Sequence, residues 1–451
     1  MEQRRNLILT GTETFSKGGL DNVALENGSI VLDGAAGRHM PFGCYTTPEF
    51  ALPPFCNLNV SWNADTPDKT VIEAQCRVLA GGAWTGWMSF GKWSPAYPRK
   101  SPGGSAAGQD KMVFCSGDTI TVAVPGGGSA VQLRMNLYSD DEKCTPAVRL
   151  LAVAARPLAW EKLDGSPVNR TLFLPEYSMH QHDYTFGQSM DLPLVLAGMM
   201  NRYGEDVLPE ELAYGMSDGA TALCRNAAYA AAMAGSCGFR CWQAWADVSD
   251  LRAEVRAGYS AAVELENRAG REISTRWMGL HGFCHETSPA ADTALLHDPA
   301  AAPGEGALRL PLTEFRRLFT GRALLLRPRI RGTQRIWPRR TGCSLKPGAA
   351  PGEYLFERRG ELWPLPENFG GWLAAAPHDG VAHATTAART FLRLQGSAAG
   401  GICLPPECIT PGARYSIYVV DETGSLRVAE LRLPGTPPAP PAAEEPANRK
   451  P

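Results

Sequence analysis

The chain has 451 residues, which is too long for a single hydrophobic core and predicts about three domains. Its 44 Lys and Arg residues nearly balance its 46 Asp and Glu residues and form no basic stripe, so the charge pattern argues against a nucleic-acid partner. The 47 glycines and 36 prolines favour turn-rich β structure over helical bundles.

The N-terminal segment carries only a short apolar stretch, Leu7-Ile8-Leu9, after its basic start. A secretory signal needs an apolar stretch of about 7 residues or more. The longest apolar run, Ala227–Ala234, is far shorter than the roughly 20 residues that cross a bilayer. We therefore expect no membrane span and a cytoplasmic protein, or a secreted one if translation starts further upstream.

The 12 cysteines include no C-x-x-C pair. The sequence therefore supports neither a zinc ribbon nor a thioredoxin-type redox pair, and we expect mostly buried thiols.

Residues 1–157 read as an all-β region. Short runs such as SIVLD, NLNVSW, VIEAQCRVL and VQLRMNLY alternate or bunch apolar residues between turn residues, which is typical of a two-sheet β-sandwich. A tryptophan stripe with Trp84, Trp87 and Trp93 lies in this region. Such a stripe is either a sugar-stacking platform or packing for the core, so this region is a candidate carbohydrate- or protein-binding module.

A linker at Leu158–Asn169 leads to the central region, residues 165–329. Its organising stretch is GQSMDLPLVLAGMMNRYG, from Gly187 to Gly204. An apolar stripe follows Asp191 and Pro193, and Gly204 ends it, so the pattern predicts a turn and a helix.

With its shared proline and its closing Tyr203-Gly204, this stretch resembles the helix of the papain-like cysteine peptidases related to the bacterial bacteriocin-leader (double-glycine) peptidases. The resemblance implies a papain-like α+β domain, and the N-terminal β region resembles the β-domains that precede it in relatives. Aligned this way, the position of the nucleophilic cysteine falls on Asp191. The glutamine that helps to form the oxyanion hole falls near Met179, His180 or Gln181, which with Met190 are candidate cleft residues.

The order of the later elements also resembles this family. Asn226-Ala-Ala-Tyr229, the helix VSDLRAEVRAG, the strands YSAAVELE and STRWMGLHGF, and the closing RLPLTEFRRLF follow in the expected succession. Aligned on Gly282-Phe283, the catalytic histidine becomes Arg276, with a slip of one residue left open. The orienting residue is retained as Asp298, in ALLHDPAA.

The chemistry of such a site is therefore degraded. A thiol peptidase needs a thiolate at a helix N-terminus, an imidazole beside it and a group that orients the imidazole. A carboxylate is a poor acyl nucleophile, and a permanently charged guanidinium cannot act as a base. We hypothesise that Arg276 lies between Asp191 and Asp298 as an ion-pair cluster; the alternative is that Asp191 only caps its helix while Arg276 points to solvent.

Two other interpretations stay open. An active peptidase with a relocated nucleophile would use Cys237, Cys241 or Cys284, although each is more typical of a structural cysteine. The spacings His180-Gln-His182 and His281 to His285 occur at metal sites, but the stretch predicts strand and loop rather than a helix, so we expect no metal and no cofactor.

Residues 330–435 predict a small β-domain with a hairpin near Asp421 and Gly424, and residues 436–451 predict a disordered Pro-rich tail. The fold class predicted overall is multidomain α+β, with an N-terminal β-sandwich, a central papain-like domain and a small C-terminal β-domain. The predicted function is that of a catalytically inactive relative that binds a peptide or protein in the former substrate cleft. The alternatives are an active cysteine peptidase and a carbohydrate-binding surface protein.

Overall fold

The computed structural model describes most of the N-terminal three quarters of the chain and parts of the remainder. The described residues are 5–95, 97, 99–102, 112–181, 187–205, 207–221, 223–269, 272–285, 292–328, 343–358, 360–362, 364–365, 372–378, 392–393, 395–404, 414–420 and 426–432. They fold into two compact units, one of residues 1–339 and 420–426 and the other of residues 340–419 and 427–451.

The first part of unit one is a 13-stranded antiparallel sheet whose main path runs in the order β10-β9-β14-β8-β15-β4-β3. The elements of this part, including the separate hairpin of β5 and β6, are β1 (Asn6–Thr10), α1 (Thr12–Phe15), β2 (Gly19–Asp21), β3 (Val23–Glu26), β4 (Ser29–Leu32), β5 (Gly34–Ala35), β6 (Arg38–His39), β7 (Phe42–Thr46), β8 (Phe50–Asp65), β9 (Thr70–Ala80), β10 (Ala83–Trp84), β11 (Met88–Trp93), β12 (Val113–Ser116), β13 (Thr119–Val122), β14 (Gly128–Ser139) and β15 (Ala147–Pro157).

The period-2 pattern predicted from the sequence is found in these strands. Along β9 the side chains of Ile72, Ala74 and Cys76 are buried, whereas Glu73 and Gln75 between them face outward. The long strand β8 pairs with β14 near its beginning and with β15 along the rest of its length. The hydrogen bonds therefore run continuously through β8, and the strands are not divided into two separately bonded sheets.

The second part of unit one is a seven-stranded sheet in the order β17-β22-β18-β19-β20-β21, with β16 beside β19. Its elements are β16 (Arg170–Thr171), the 3-10 turns Met179–Gln181 and Gly187–Met190, α2 (Asp191–Asn201), α3 (Pro209–Met216), α4 (Ala227–Ser236), β17 (Arg240–Trp245), α5 (Val248–Ala257), β18 (Ala261–Ala269), β19 (Glu272–Cys284), β20 (Thr293–His297), β21 (Ala307–Pro311), α6 (Leu312–Leu318) and β22 (Phe319–Arg327).

Local signals set the ends of several helices. Asn226 caps α4 by accepting hydrogen bonds from the N–H groups of Ala228 and Tyr229. Asp247 caps α5, and Gly258 ends that helix at φ 95°, a left-handed conformation that glycine adopts without a steric penalty. The helix predicted around Gly187–Gly204 is present as α2 and begins at Asp191.

The two parts of unit one share a core. Trp62 of β8 packs edge-on against Tyr229 of α4, with 6.3 Å between the ring centroids. Asn63 donates to the carbonyl groups of Ala231 and Cys241, at 3.1 and 2.8 Å. The N-terminal strands are therefore in direct contact with α4 and β17.

A partly buried charge cluster lies at the same junction. The guanidinium of Arg322, on β22, pairs with Asp118 at 2.7 Å and with Glu264 at 3.4 Å. Asp118 precedes β13, so this cluster joins the 13-stranded sheet to the central sheet. A buried cation is stable only when its charge is compensated, and these two carboxylates compensate that of Arg322.

Unit two contains two small sheets, ordered β23-β24-β29-β28 with β25 beside β24, and β27-β26-β30-β31. Its strands are β23 (Cys343–Pro347), β24 (Glu353–Arg358), β25 (Glu361–Leu362), β26 (Trp372–His378), β27 (Leu392–Arg393), β28 (Gln395–Gly396), β29 (Ile402–Cys403), β30 (Arg414–Val420) and β31 (Leu426–Arg432). The turn predicted near Asp421 and the tail 436–451 lie outside the described residues. In the described part of the chain, no helix has both the length and the apolar composition needed to cross a membrane.

Candidate functional site

The site predicted from the sequence lies at the N-terminus of α2, where Asp191 is the first helical residue. Its side chain is buried, because the residue retains only 2% of its accessible surface. Oδ1 accepts a hydrogen bond from the N–H of Leu192 at 2.9 Å, and Oδ2 accepts one from the N–H of Trp277 at 2.8 Å. The carboxylate thus satisfies one backbone donor at the start of α2 and another on β19.

The cation that pairs with Asp191 is Arg225, whose Nη2 lies 2.9 Å from Oδ2. The same Nη2 donates to the carbonyl of Thr275 on β19. Thr275 and Trp277 lie before the point where β20 joins β19, since that pairing begins at Gly279. The Asp191–Arg225 pair therefore takes up backbone groups on the edge of β19 that faces away from β18, before β20 begins to pair there.

Arg276 makes a different ion pair. Its Nη1 lies 3.0 Å from Oδ2 and 3.4 Å from Oδ1 of Asp298. Asp298 also accepts a hydrogen bond from the N–H of Ala300 at 2.9 Å, which fixes the turn after β20. The hypothesis that Arg276 lies between both carboxylates is correct for Asp298 and wrong for Asp191, whose partner is Arg225.

The sequence reasoning missed Arg225. It stands 34 positions after Asp191, in a stretch whose only pattern is the cap and alanine run of α4, and no local periodicity links the two residues. The packing of α2 against both α4 and β19 brings them together, because Arg225 directly precedes the cap of α4.

The electrostatics of Asp191 are those of a structural carboxylate. Burial raises the pKa of this carboxyl group, while Arg225 and the two backbone N–H groups oppose the shift. The ionised oxygens already accept three donors, so none of them is directed at a substrate. An acid in this position cannot replace a thiolate in acyl transfer.

One thiol lies close to this position, and it was not among the predicted candidates. Cys224 Sγ is 3.1 Å from Ser189 Oγ and 3.0 Å from the Ser189 carbonyl oxygen. Burial raises the pKa of Cys224 to about 12, so the thiol stays protonated near neutral pH. Its contacts are those of a small buried side chain.

The cysteines that were predicted as relocated nucleophiles lie elsewhere. Cys237 and Cys241 are fully buried, and burial raises the pKa of Cys241. Cys284 is half-buried at the end of β19, and the next residue, His285, bonds through Nδ1 to Asp292 at 2.6 Å. Asp292 pairs in turn with Arg252, so His285 belongs to a separate buried cluster.

The predicted cleft residues are in unlike environments. The N–H of Met179 bonds to the carbonyl of Pro299 at 2.8 Å, and the exposed His180 reaches the carbonyl of Ala300 at 3.2 Å through Nε2. Both residues therefore lie against the turn that follows Asp298. Met190 is buried in the core, which corrects its placement in the cleft. The side chain of Gln181 lies outside the described residues, as does His182.

No cluster of three or more His, Cys, Asp or Glu side chains suited to a metal ion occurs among the residues that the structure describes. His281 lies on β19 and is substantially buried, and burial lowers the pKa of its imidazole.

The tryptophan stripe divides into core and surface. Trp93 is fully buried against Trp62 and Tyr229, which corrects its assignment as a sugar-contacting residue. Trp84 and Trp87 are half-buried on the outer face of the sheet. Arginine guanidinium groups lie over both rings, so these indoles do not form an open stacking platform.

Comparison with known families gives a match in the N-terminal part of the chain. Residues 8–156 match the family described as Peptidase C39 N-terminal domain. This match supports the resemblance to the C39 bacteriocin-leader peptidase-like family, and it does so through the N-terminal residues rather than through the central helix. A search of curated proteins found no match.

Solved structures offer only distant likenesses. The peptidase domain of Streptococcus ComA, a bi-functional ABC transporter involved in quorum sensing, is 18% identical, covers 35% of this chain and 100% of that chain, and has a TM-score of 0.26. The C-terminal CBM6 of the laminarinase LamC from Zobellia galactanivorans is 12% identical, covers 33% and 98%, and has a TM-score of 0.18. Likenesses this weak carry no argument about function.

Proposed function

We propose, from the match of residues 8–156 to the N-terminal domain of C39 peptidases, that this cysteine-peptidase-like chain has lost hydrolysis and binds a peptide or protein beside α2. The observation that carries the proposal is the position of Asp191. The family resemblance predicts a free nucleophile at this position. The carboxylate of Asp191 instead accepts hydrogen bonds from Leu192, Trp277 and Arg225.

The loss of a base at the second position also supports this proposal. Arg276 stands where the resemblance expects the catalytic imidazole, and its guanidinium stays charged throughout the physiological pH range. Arg276 still pairs with Asp298, as the catalytic imidazole would pair with its orienting residue, but a guanidinium cannot accept the proton of a nucleophile. Cys224 does not compensate, because its buried thiol stays protonated and contacts Ser189.

The groups that remain are suited to binding. The side chains of Arg276 and Asp298 are 33% and 19% exposed, so a ligand can reach both charges of this pair. The exposed His180 lies against the same turn. A peptide offers carboxylate, amide and carbonyl groups that match such a surface, and the binding is expected to depend on Arg276.

The test uses the full chain and a fluorescent synthetic peptide ending in Gly-Gly. Mass spectrometry is expected to find no cleavage, and fluorescence anisotropy is expected to find binding that Arg276→Ala weakens about tenfold. Arg316→Ala is the matched control, since Arg316 also forms an exposed ion pair, with Asp164 on the linker. Cleavage that disappears when one cysteine is replaced would identify an active peptidase, and absence of binding would refute the peptide-binding function.

A further inference from the structure

A cavity of mixed polar and apolar lining lies on the outer face of the 13-stranded sheet, far along the chain from the α2 site. It has a volume of about 450 Å³, and its lining includes Asp21, Phe42, Thr46, Arg134 and Asn136. Strand pairing sets its layout: Thr46 of β7 lies opposite Arg134 of β14, and the neighbouring pair is Cys44 with Asn136. Asp21 of β2 extends that second row, opposite Cys44.

Arg134 is the unusual member of this cavity. Its Nε is buried without a hydrogen-bond partner, and no ion pair of Arg134 occurs among the residues that the structure describes. Its guanidinium lies over the ring of Trp87, with 4.0 Å from Cζ to the ring centroid. Buried donors are almost always satisfied in folded proteins, so the unpartnered Nε of this half-buried arginine, with no anion beside its guanidinium among the described residues, indicates a place for a ligand.

The nearby Arg77 shows what a structural arginine looks like on the same face. Its Nε donates to Gln132 at 2.8 Å, and its Nη2 lies 3.6 Å from Glu49. It too lies over Trp87, at 5.1 Å. Trp87 therefore holds both guanidinium groups by cation–π contact, but of these two only that of Arg134 is left without an anion.

We propose that this cavity binds an acidic sugar, with the carboxylate of the sugar paired to Arg134. The planar guanidinium is held in one orientation by Trp87, which prepares it for a bidentate pair with a carboxylate. The carboxylate of Asp21 and the hydroxyl of Thr46 can accept hydrogen bonds from sugar hydroxyl groups. Asp21 also disfavours a second anionic group nearby, so the cavity selects a ligand whose negative charges are widely spaced.

The apolar part of the cavity supports the same class of ligand. Phe42 and Leu20 are 41% and 46% exposed at its edge, and they offer a surface to the C–H groups of a sugar ring. This arrangement differs from simple stacking on tryptophan, because Trp87 positions the arginine and does not itself face the ligand. The proposal does not depend on the peptide-binding site beside α2.

The test is calorimetric titration of the full chain with a galacturonate trimer, its fully methyl-esterified form, and a tetra-alanine peptide with a free carboxyl terminus. The acid is expected to bind with a Kd of about 1 mM or tighter, and its ester at least about tenfold more weakly. Arg134→Gln is expected to weaken binding of the acid about tenfold or more. Arg134→Lys is expected to weaken it less, because lysine keeps the positive charge but cannot donate the two parallel N–H bonds of a guanidinium.

Lys92→Gln is the control, because Lys92 lies on the same sheet over Tyr138 and outside this cavity. It is expected to leave the Kd unchanged. Melting temperatures establish that each variant is folded, and the comparison of acid with ester on the unmodified chain does not need a variant. Equal binding of acid and ester, unchanged binding by Arg134→Gln, binding of the peptide alone, or no binding of any probe would each overturn the proposal.

Discussion

Replacing Asp191 by cysteine puts the expected nucleophile back into the site, and the structure predicts that the protein will tolerate this change poorly. Cysteine is a weak acceptor and carries no charge when protonated. The substitution would leave the N–H of Trp277 without its acceptor and the guanidinium of Arg225 without its anion, although Arg225 still donates to the carbonyl of Thr275. The variant is therefore expected to lose stability without gaining peptidase activity.

The size of this loss follows from the contacts. Removing one partner of a buried ion pair costs about 3–5 kcal/mol, because the other charge stays behind uncompensated. The side chain of Asp191 is 3% exposed and that of Arg225 is 27% exposed, so Arg225 recovers part of its solvation. We expect a loss of about 3 kcal/mol, which lowers the melting temperature by roughly 4 °C in a unit of this size, given an unfolding entropy of about 2.1 cal/mol/K per residue.

Differential scanning calorimetry of three variants measures the effect. Asp298→Asn is the control, since it breaks the half-exposed pair with Arg276 and is expected to cost about 1 kcal/mol or less. The double variant Asp191→Cys with Arg225→Met removes both charges of the buried pair and is expected to be more stable than Asp191→Cys alone. Equal losses from Asp191→Cys and Asp298→Asn, or no recovery in the double variant, would show that the reasoning is wrong.

Three further predictions concern single groups. Burial raises the pKa of Asp65 to about 6 in the folded protein, although Arg149 lies 2.8 Å away and opposes the shift, so ionising it costs stability as pH rises from about 4 to 6. Asp65→Asn should remove this decline with pH, as measured by melts across this range, and a decline that persists in the variant would contradict the assignment. Cys224 should resist thiol reagents near pH 8 until the protein is unfolded, as measured by mass spectrometry, and rapid labelling would contradict its raised pKa. Arg322→Met leaves two carboxylates without their cation and should cost about 2–3 kcal/mol in denaturant unfolding, because the partly exposed cluster regains some solvation, against less than about 1 kcal/mol for the exposed Arg316→Met.

The elements whose signals are local could be predicted from the sequence. The helix α5 has its cap at Asp247 and its stop at Gly258, and both act within one turn of the residues they cap. The alternation along β9 likewise reports which face of the strand is buried. The order of helices and strands around α2 could also be predicted from the sequence. So could the presence of Asp191 at the position where the resemblance expects the nucleophile, because both depend only on residue identity at aligned positions.

The partners of those residues were decided by tertiary structure. Asp191 and Arg225 meet because α2 packs against α4, which Arg225 directly precedes, and against β19; Trp93 is buried because α4 carries Tyr229 against it. A local pattern shows that a side chain is charged or aromatic. The contribution of that side chain to the free energy of folding depends on the groups that surround it in space. The sequence by itself therefore determined the succession of elements and which residue types stand at the start of α2 and on β19. Packing between segments that are distant in the chain decided which charges are paired, which thiols are buried, and that Arg134 is left without an anion.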